Sequence, residues 1–251
     1  MSTLKVTSIQ NPSTSSGGVS IDTSGHVTVD GVVMPNAGPL SNRNKIINGD
    51  MRIDQRNAGA AVTSSTAYPV DRWITYNATD GAHSGQQSTD VPTGAGFLNS
   101  LKYTITTADS SIGATQYASI VQKIEGYNVA DLKLGTANAR QFILSFWVRS
   151  SVTGTYVFAL KNGANNRAYA TTYDINSANT WEYKTLTITG DTTGTWSSGN
   201  STGIDLSWGL GVGSTYTVSA NDAWEDGFKF GAVGSINLFA TNGATFYITG
   251  V

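Results

Sequence analysis

The chain has 251 residues, a formal net charge of −2, 13% charged side chains and no cysteine. So few Lys and Arg argue against binding nucleic acid through a basic surface, no apolar run approaches the roughly 18 residues of a membrane-spanning helix, and no disulfide can brace the fold. What replaces charge is Ser, Thr and Asn with 28 Gly, 6 Trp and 11 Tyr, a composition of pleated surfaces joined by turns.

In chain order, residues 1–43 stand apart: their apolar residues are small, and Trp, Tyr and Phe are missing. The opening Met1 to Val6 lacks the apolar core of a secretory signal, so an exported route would need another explanation, such as cell lysis. Val19 and Ile21 alternate with Ser20 and Asp22, and Val27 and Val29 alternate with Thr28 and Asp30. Between them Asp22-Thr23-Ser24-Gly25 has turn chemistry, so the segment reads as a small hairpin that also carries His26. A lone hairpin is marginal in water. It therefore needs the main domain, another protein, or copies of itself around a threefold axis. Pro35, Gly38 and Pro39 mark residues 35–42 as a linker, which divides the chain into an assembly segment, 1–43, and a domain, 44–251.

Beyond the linker the pattern is strand and turn. Leu101, Tyr103 and Ile105 share a face, as do Ala118, Ile120 and Ile124. Over 142–149, Phe142, Leu144, Phe146 and Val148 form a core face, and Ile143, Ser145, Trp147 and Arg149 form the opposite one. Asn162-Gly163 predicts a tight hairpin turn between the strands around Phe158 and Tyr169, because both residues tolerate positive φ. Further strands are expected over 181–188, 206–210, 236–238 and 246–251, with one short helix near Val129 to Leu132. Eight to ten strands at this spacing predict an all-β jelly-roll sandwich preceded by a small N-terminal hairpin.

Residues 44–57, Asn44-Lys45-Ile46-Ile47-Asn48-Gly49-Asp50-Met51-Arg52-Ile53-Asp54-Gln55-Arg56-Asn57, resemble a segment recurrent in tail-fibre and appendage proteins of tailed bacteriophages. As in those proteins, it is followed by a Tyr-x-x-Asp-Arg-Trp element at residues 68–73. Residues 144–150, 180–188 and 246–251 resemble later strands of the same domain, in the same order. That order is also similar to carbohydrate-binding-module jelly rolls, and the resemblance spans residues 44–251. It implies a structural virion protein, a tail fibre that attaches to glycans of a host surface as a homotrimer, with residues 1–43 docking on other virion proteins. A capsid decoration protein, or a free carbohydrate-binding module, is the alternative. Met51, Ile53 and Asp54 depart from the modules' opening pattern, so their calcium site is not carried over.

The chemistry-bearing residues point to binding. His26 and His83, the latter in a Gly/Ser-rich stretch, are the only histidines, and no metal-ligand spacing or phosphate loop appears. Asp54, Asp71, Glu125, Glu182, Asp205 and Glu225 are available for glycosidase chemistry, which needs two converging carboxylates. None has a context that marks it out, and Asp71-Arg72 reads as an ion pair. No enzyme activity, cofactor or metal is expected; Asn48, Asp50 and Asp54 read as a turn that caps its own backbone. Sugar sites stack aromatic faces on C–H surfaces beside polar anchors. Trp147 with Arg149, Trp196 and Trp224 are the candidate contacts, whereas Trp73, Trp181 and Trp208 read as core anchors.

Overall fold

The computed structural model describes residues 8–9, 18–21, 27–29, 32–34 and 44–251. The chain divides into two units, Met1–Asn44 and Lys45–Val251. In the first, β1 (Ser8–Ile9), β2 (Val19–Ile21), β3 (Val27–Val29) and β4 (Val32–Met34) form an antiparallel sheet in sequence order. The alternating valines make the expected pair, with Val19 opposite Val29 and Ile21 opposite Val27. Strand β1 is two residues long and β4, Val-Val-Met, does not alternate, so both escaped the sequence reading. The turn at 22–25, His26 and the linker at 35–42 lie outside the described residues.

The second unit is a sandwich of two antiparallel sheets, as the strand pattern predicts. The smaller contains β7 (Ala82–Ser88), β8 (Ser100–Thr107), β10 (Phe142–Ser150), β13 (Glu182–Ile188) and β16 (Thr245–Thr249), in the order β13-β10-β16-β8-β7. The larger contains β5 (Thr66–Val70), β6 (Trp73–Asn77), β9 (Tyr117–Glu125), β11 (Gly154–Asn162), β12 (Arg167–Ile175), β14 (Thr202–Val212) and β15 (Trp224–Asp226), in the order β15-β12-β11-β14-β9-β6-β5. Aromatic rings join the sheets at the centre. Trp208 lies 5.6 Å from Phe146, 4.9 Å from Phe158 and 5.5 Å from Trp73, and all four are fully buried. Edge-on ring pairs of this kind add to the area they remove from water.

Two local readings need correction. The β11–β12 connection is a four-residue loop, 163–166, in which Asn165 takes the positive φ of 56°. Gly163 is required for space instead, since a Cβ there would sit 2.0 Å from the Thr202 carbonyl oxygen. Residues 236–238 form no strand. Asn237 accepts the Phe239 N–H at 2.9 Å and starts a 3-10 turn over Leu238–Ala240, because a side-chain oxygen two residues upstream competes with ladder pairing.

The sheets differ in what covers their outer faces. Val157, Ala159 and Ala170 point away from the main core, yet all are buried, because Val218, Phe230 and Ala232 from the segment after β14 fold back over them. Lys161 and Asp205 lie under the same cover, 3.1 Å apart, with the lysine Nζ 5.1 Å from both Phe228 and Phe230. Strand β10 of the smaller sheet alternates instead between buried and solvent-contacting residues. Its outer face keeps access to water.

Candidate functional site

Side chains alternate across a strand, so the parity that buries Leu144, Phe146 and Val148 turns Ile143, Ser145, Trp147 and Arg149 outward. Register then decides their neighbours. Trp147 faces Tyr183 on β13 and Thr249 on β16. Arg149 faces Tyr247, and Tyr247 faces Lys102 on β8. Two parallel rows therefore cross this face of the smaller sheet. In one, the Trp147 and Tyr183 rings lie 5.4 Å apart at 49°, and Tyr183 is 54% exposed. In the other, Arg149 lies 5.1 Å and the Lys102 Nζ 5.8 Å from the Tyr247 ring centroid. Tyr247 is only 7% exposed, and it stands between the two cations in its row.

Asp90, in the connection between β7 and β8, closes one end of this face. Its backbone is pinned, since the Ser100 hydroxyl donates to the Asp90 carbonyl at 2.6 Å and the Asp90 N–H donates to Ser88 Oγ at 3.1 Å. One carboxylate oxygen accepts the Trp181 indole N–H at 3.0 Å, and the other accepts Arg149 Nη1. Arg149 Nε donates to the Asn179 carbonyl at 2.9 Å. The Trp181 ring meets Tyr247 edge-on at 6.0 Å. Trp181 is thus not a core anchor: it precedes β13 with the same outward parity as Tyr183 and is half-buried on the outer face. The parity of Trp181, Tyr183 and Tyr247 was readable in the sequence, but the pairing that gathers them was not. Asp90 carried no sequence signal, because a loop residue has no period.

Trp196 and Trp224 lie elsewhere, at the β15 edge of the larger sheet. Their rings meet perpendicularly at 5.3 Å, and Trp224 also packs on Tyr169 at 5.2 Å. Both indole N–H groups are engaged, Trp224 with the Thr189 carbonyl at 2.7 Å and Trp196 with Asp191 at 3.2 Å. Asp191 is buried and takes two bonds from Arg167, at 2.8 and 2.9 Å. Burial raises the Asp191 pKa, but bonds from Arg167, the Thr193 N–H and Trp196 outweigh it and hold the carboxyl below its ordinary range. This corner pins a loop onto the core; a small pocket beside it is lined by Val129, Lys133, Leu134 and Trp196. The structure therefore brings Trp147 and Arg149 together and keeps Trp196 and Trp224 apart from them.

The remaining polar candidates disperse. His83 is not in a loop: it sits in edge strand β7, is 1% exposed, and stacks on Tyr103 at 4.5 Å and 4°. Asp71 does not pair with Arg72. It lies 3.6 Å from Arg56 and accepts the Gln55 N–H at 3.2 Å, while Arg72, at φ 74°, reaches Glu125 at 2.8 Å. Neighbouring residues on a sharp turn diverge, so sequence adjacency misled here. Glu182 binds Lys184, Asp205 binds Lys161, and Glu225 accepts from Ser219. The Asn48 side-chain oxygen accepts the Ile53 N–H, and Asp54 accepts the Asn57 and Gly59 N–H groups. Among the described residues, no three His, Cys, Asp or Glu side chains gather as a metal site would require.

No protein-family model matches the sequence, and no curated protein matches it. Solved structures with partial likeness include the enzymatically active domain of tailspike protein 4 of bacteriophage CBA120, at 14% identity and a TM-score of 0.44, over 82% of this chain and 21% of that one. The match thus spans about a fifth of the length of that solved domain. A CBM4 structure aligns at 14% identity and a TM-score of 0.40, over 81% of this chain and 94% of that chain. The N-terminal cellulose-binding domain of Cellulomonas fimi β-1,4-glucanase C aligns at 12% identity and a TM-score of 0.30, over 74% of this chain and 90% of that one.

Proposed function

We propose that this chain is a non-catalytic, glycan-binding protein of a bacteriophage particle, a tail fibre whose sandwich meets the host surface. One observation carries the binding reading. Trp147 and Tyr183 share a cross-strand row on the sheet face that keeps solvent access, beside a carboxylate, Asp90, held in place by Arg149 and Trp181. Sugars present C–H faces that stack on such rings and hydroxyls that bond to such a fixed, 40% exposed carboxylate. Anchors held by their neighbours lose little freedom when ligand arrives. The virion reading is supported by the resemblance of residues 44–57, 68–73, 144–150, 180–188 and 246–251 to phage appendage segments. On that reading residues 1–43 dock on other virion proteins.

The test is an array of bacterial surface polysaccharides probed with the full chain and with Trp147→Ala. Trp147 lies outside the core, so its truncation leaves the sandwich folded, as far-UV circular dichroism will verify. Retained glycans are expected to lose on the order of tenfold in affinity, the effect of removing one stacking ring. Wild-type protein that retains no glycan, or a variant that binds as tightly as wild type, would defeat the assignment.

A further inference from the structure

The open face carries more positive charge than its own carboxylate neutralises. Lys102 and Arg149 approach the same Tyr247 ring, and of the two only Arg149 pairs with an acid, Asp90. Arg149 spends Nε on Asn179 and Nη1 on Asp90. Among the described residues its Nη2 has no hydrogen-bond partner, and Lys102 Nζ has neither a hydrogen bond nor an ion pair. Two cations against one carboxylate leave one positive charge unmatched, on a protein whose net charge is −2. The two cations flank Tyr247 in one cross-strand row, and an anion that reaches both offsets the cost of holding two like charges on one face. A planar carboxylate has the right valence: one oxygen for a lysine ammonium and one for a guanidinium N–H. The Trp147 and Tyr183 rings lie in the adjacent row of the same face, two residues along β10 from Arg149.

Resting on the glycan-binding reading above, we propose that this face selects an acidic glycan, whose sugar-ring carboxylate is held between Lys102 and Arg149 while a neighbouring residue of the chain stacks on Trp147. Asp90 then has a second role. It orients Arg149 through Nη1 and leaves Nη2 turned to the ligand.

Polygalacturonate, alginate and polysialate, each beside its carboxyl-reduced neutral form, are titrated against the full chain, wild type and Lys102→Met. The methionine keeps the apolar stem over Tyr247, and Lys102→Arg keeps the charge. Wild type is expected to bind at least one acidic form on the order of tenfold tighter than its reduced form, the worth of one charge-assisted hydrogen bond. That preference should weaken as salt rises. In Lys102→Met the ratio of the two affinities should collapse towards one, and in Lys102→Arg it should return. Equal binding of acidic and reduced forms by wild type would overturn the acid preference while leaving glycan binding standing. Binding of neither form in any pair would remove both. A preference that survives Lys102→Met would show that the carboxylate is read elsewhere, and the assignment to this pair would fall.

Discussion

At the scale of single residues, His83 shows how a polar side chain in the core ties stability to pH. Both ring nitrogens lack a partner among the described residues, as does the hydroxyl of Tyr103, on which the imidazole stacks. Burial without a counter-charge disfavours the imidazolium and moves the pKa from 6.5 down to about 4. The folded state thus holds the neutral ring while the unfolded chain takes up a proton below pH 6.5. Stability is full above pH 6.5 and declines as pH falls towards 4, by about 3 kcal/mol in total. Denaturant unfolding at pH 7 and pH 5 should show about 2 kcal/mol of this loss in the wild type. His83→Phe keeps the stack and removes the titration, so its stability should change little over that interval. An equal acid loss in both proteins would exclude His83 as the cause.

At the scale of elements, the opening segment 44–57 has little regular structure but many fixed points. Gln122, fully buried on the inner face of β9, clamps the Ile47 backbone. Its amide donates to the Ile47 carbonyl at 2.9 Å and accepts the Ile47 N–H at 3.0 Å. The Trp73 indole donates to the Asn48 carbonyl at 2.9 Å. Asn48 and Met51 adopt φ of 55° and 57°, and a Cβ on Gly49 would lie 2.4 Å from the Val251 carbonyl oxygen. The motif is thus a plug whose unusual backbone is satisfied by the sandwich beneath it. Gln122→Leu fills the same space but strands two buried backbone groups, so it should cost about 2–4 kcal/mol in a chemical-denaturation midpoint. A loss under about 0.5 kcal/mol, the range of an ordinary surface change, would show that the clamp contributes nothing.

For the whole molecule, the first unit poses the assembly question. Its four strands are two or three residues long, well short of what keeps an isolated sheet stable in water. Shared burial among copies would supply what one copy lacks, and a homotrimer is the form we propose. Light scattering on the full chain should return a mass of three chains, and residues 45–251, which enclose their own core, should return one. A monomeric full chain would remove the trimer.

Strand parity was legible because its period is two and one face must be buried: Leu144, Phe146 and Val148 inside with Trp147 and Arg149 outside follows from the residues alone. The all-β class, the two-sheet sandwich, the β2–β3 pairing and the core places of Trp73 and Trp208 were readable on the same ground. What only the tertiary structure decided is everything that depends on register and loop path. Trp181 shares its parity with Tyr183 and Thr185, and which parity of β13 is buried was decided by its pairing with β10. Asp90 meets Arg149 and Trp181 only because three separate segments converge at one end of a sheet. Trp196 and Trp224, equivalent in the sequence to Trp147, are committed to packing around Asp191. The open face exists because the segment after β14 covers the larger sheet and leaves the smaller one uncovered. A sequence specifies which side of a strand is apolar through the hydrophobic cost of exposing it. Which neighbour that side meets is fixed by contacts between residues far apart in the chain, and those carry no local period.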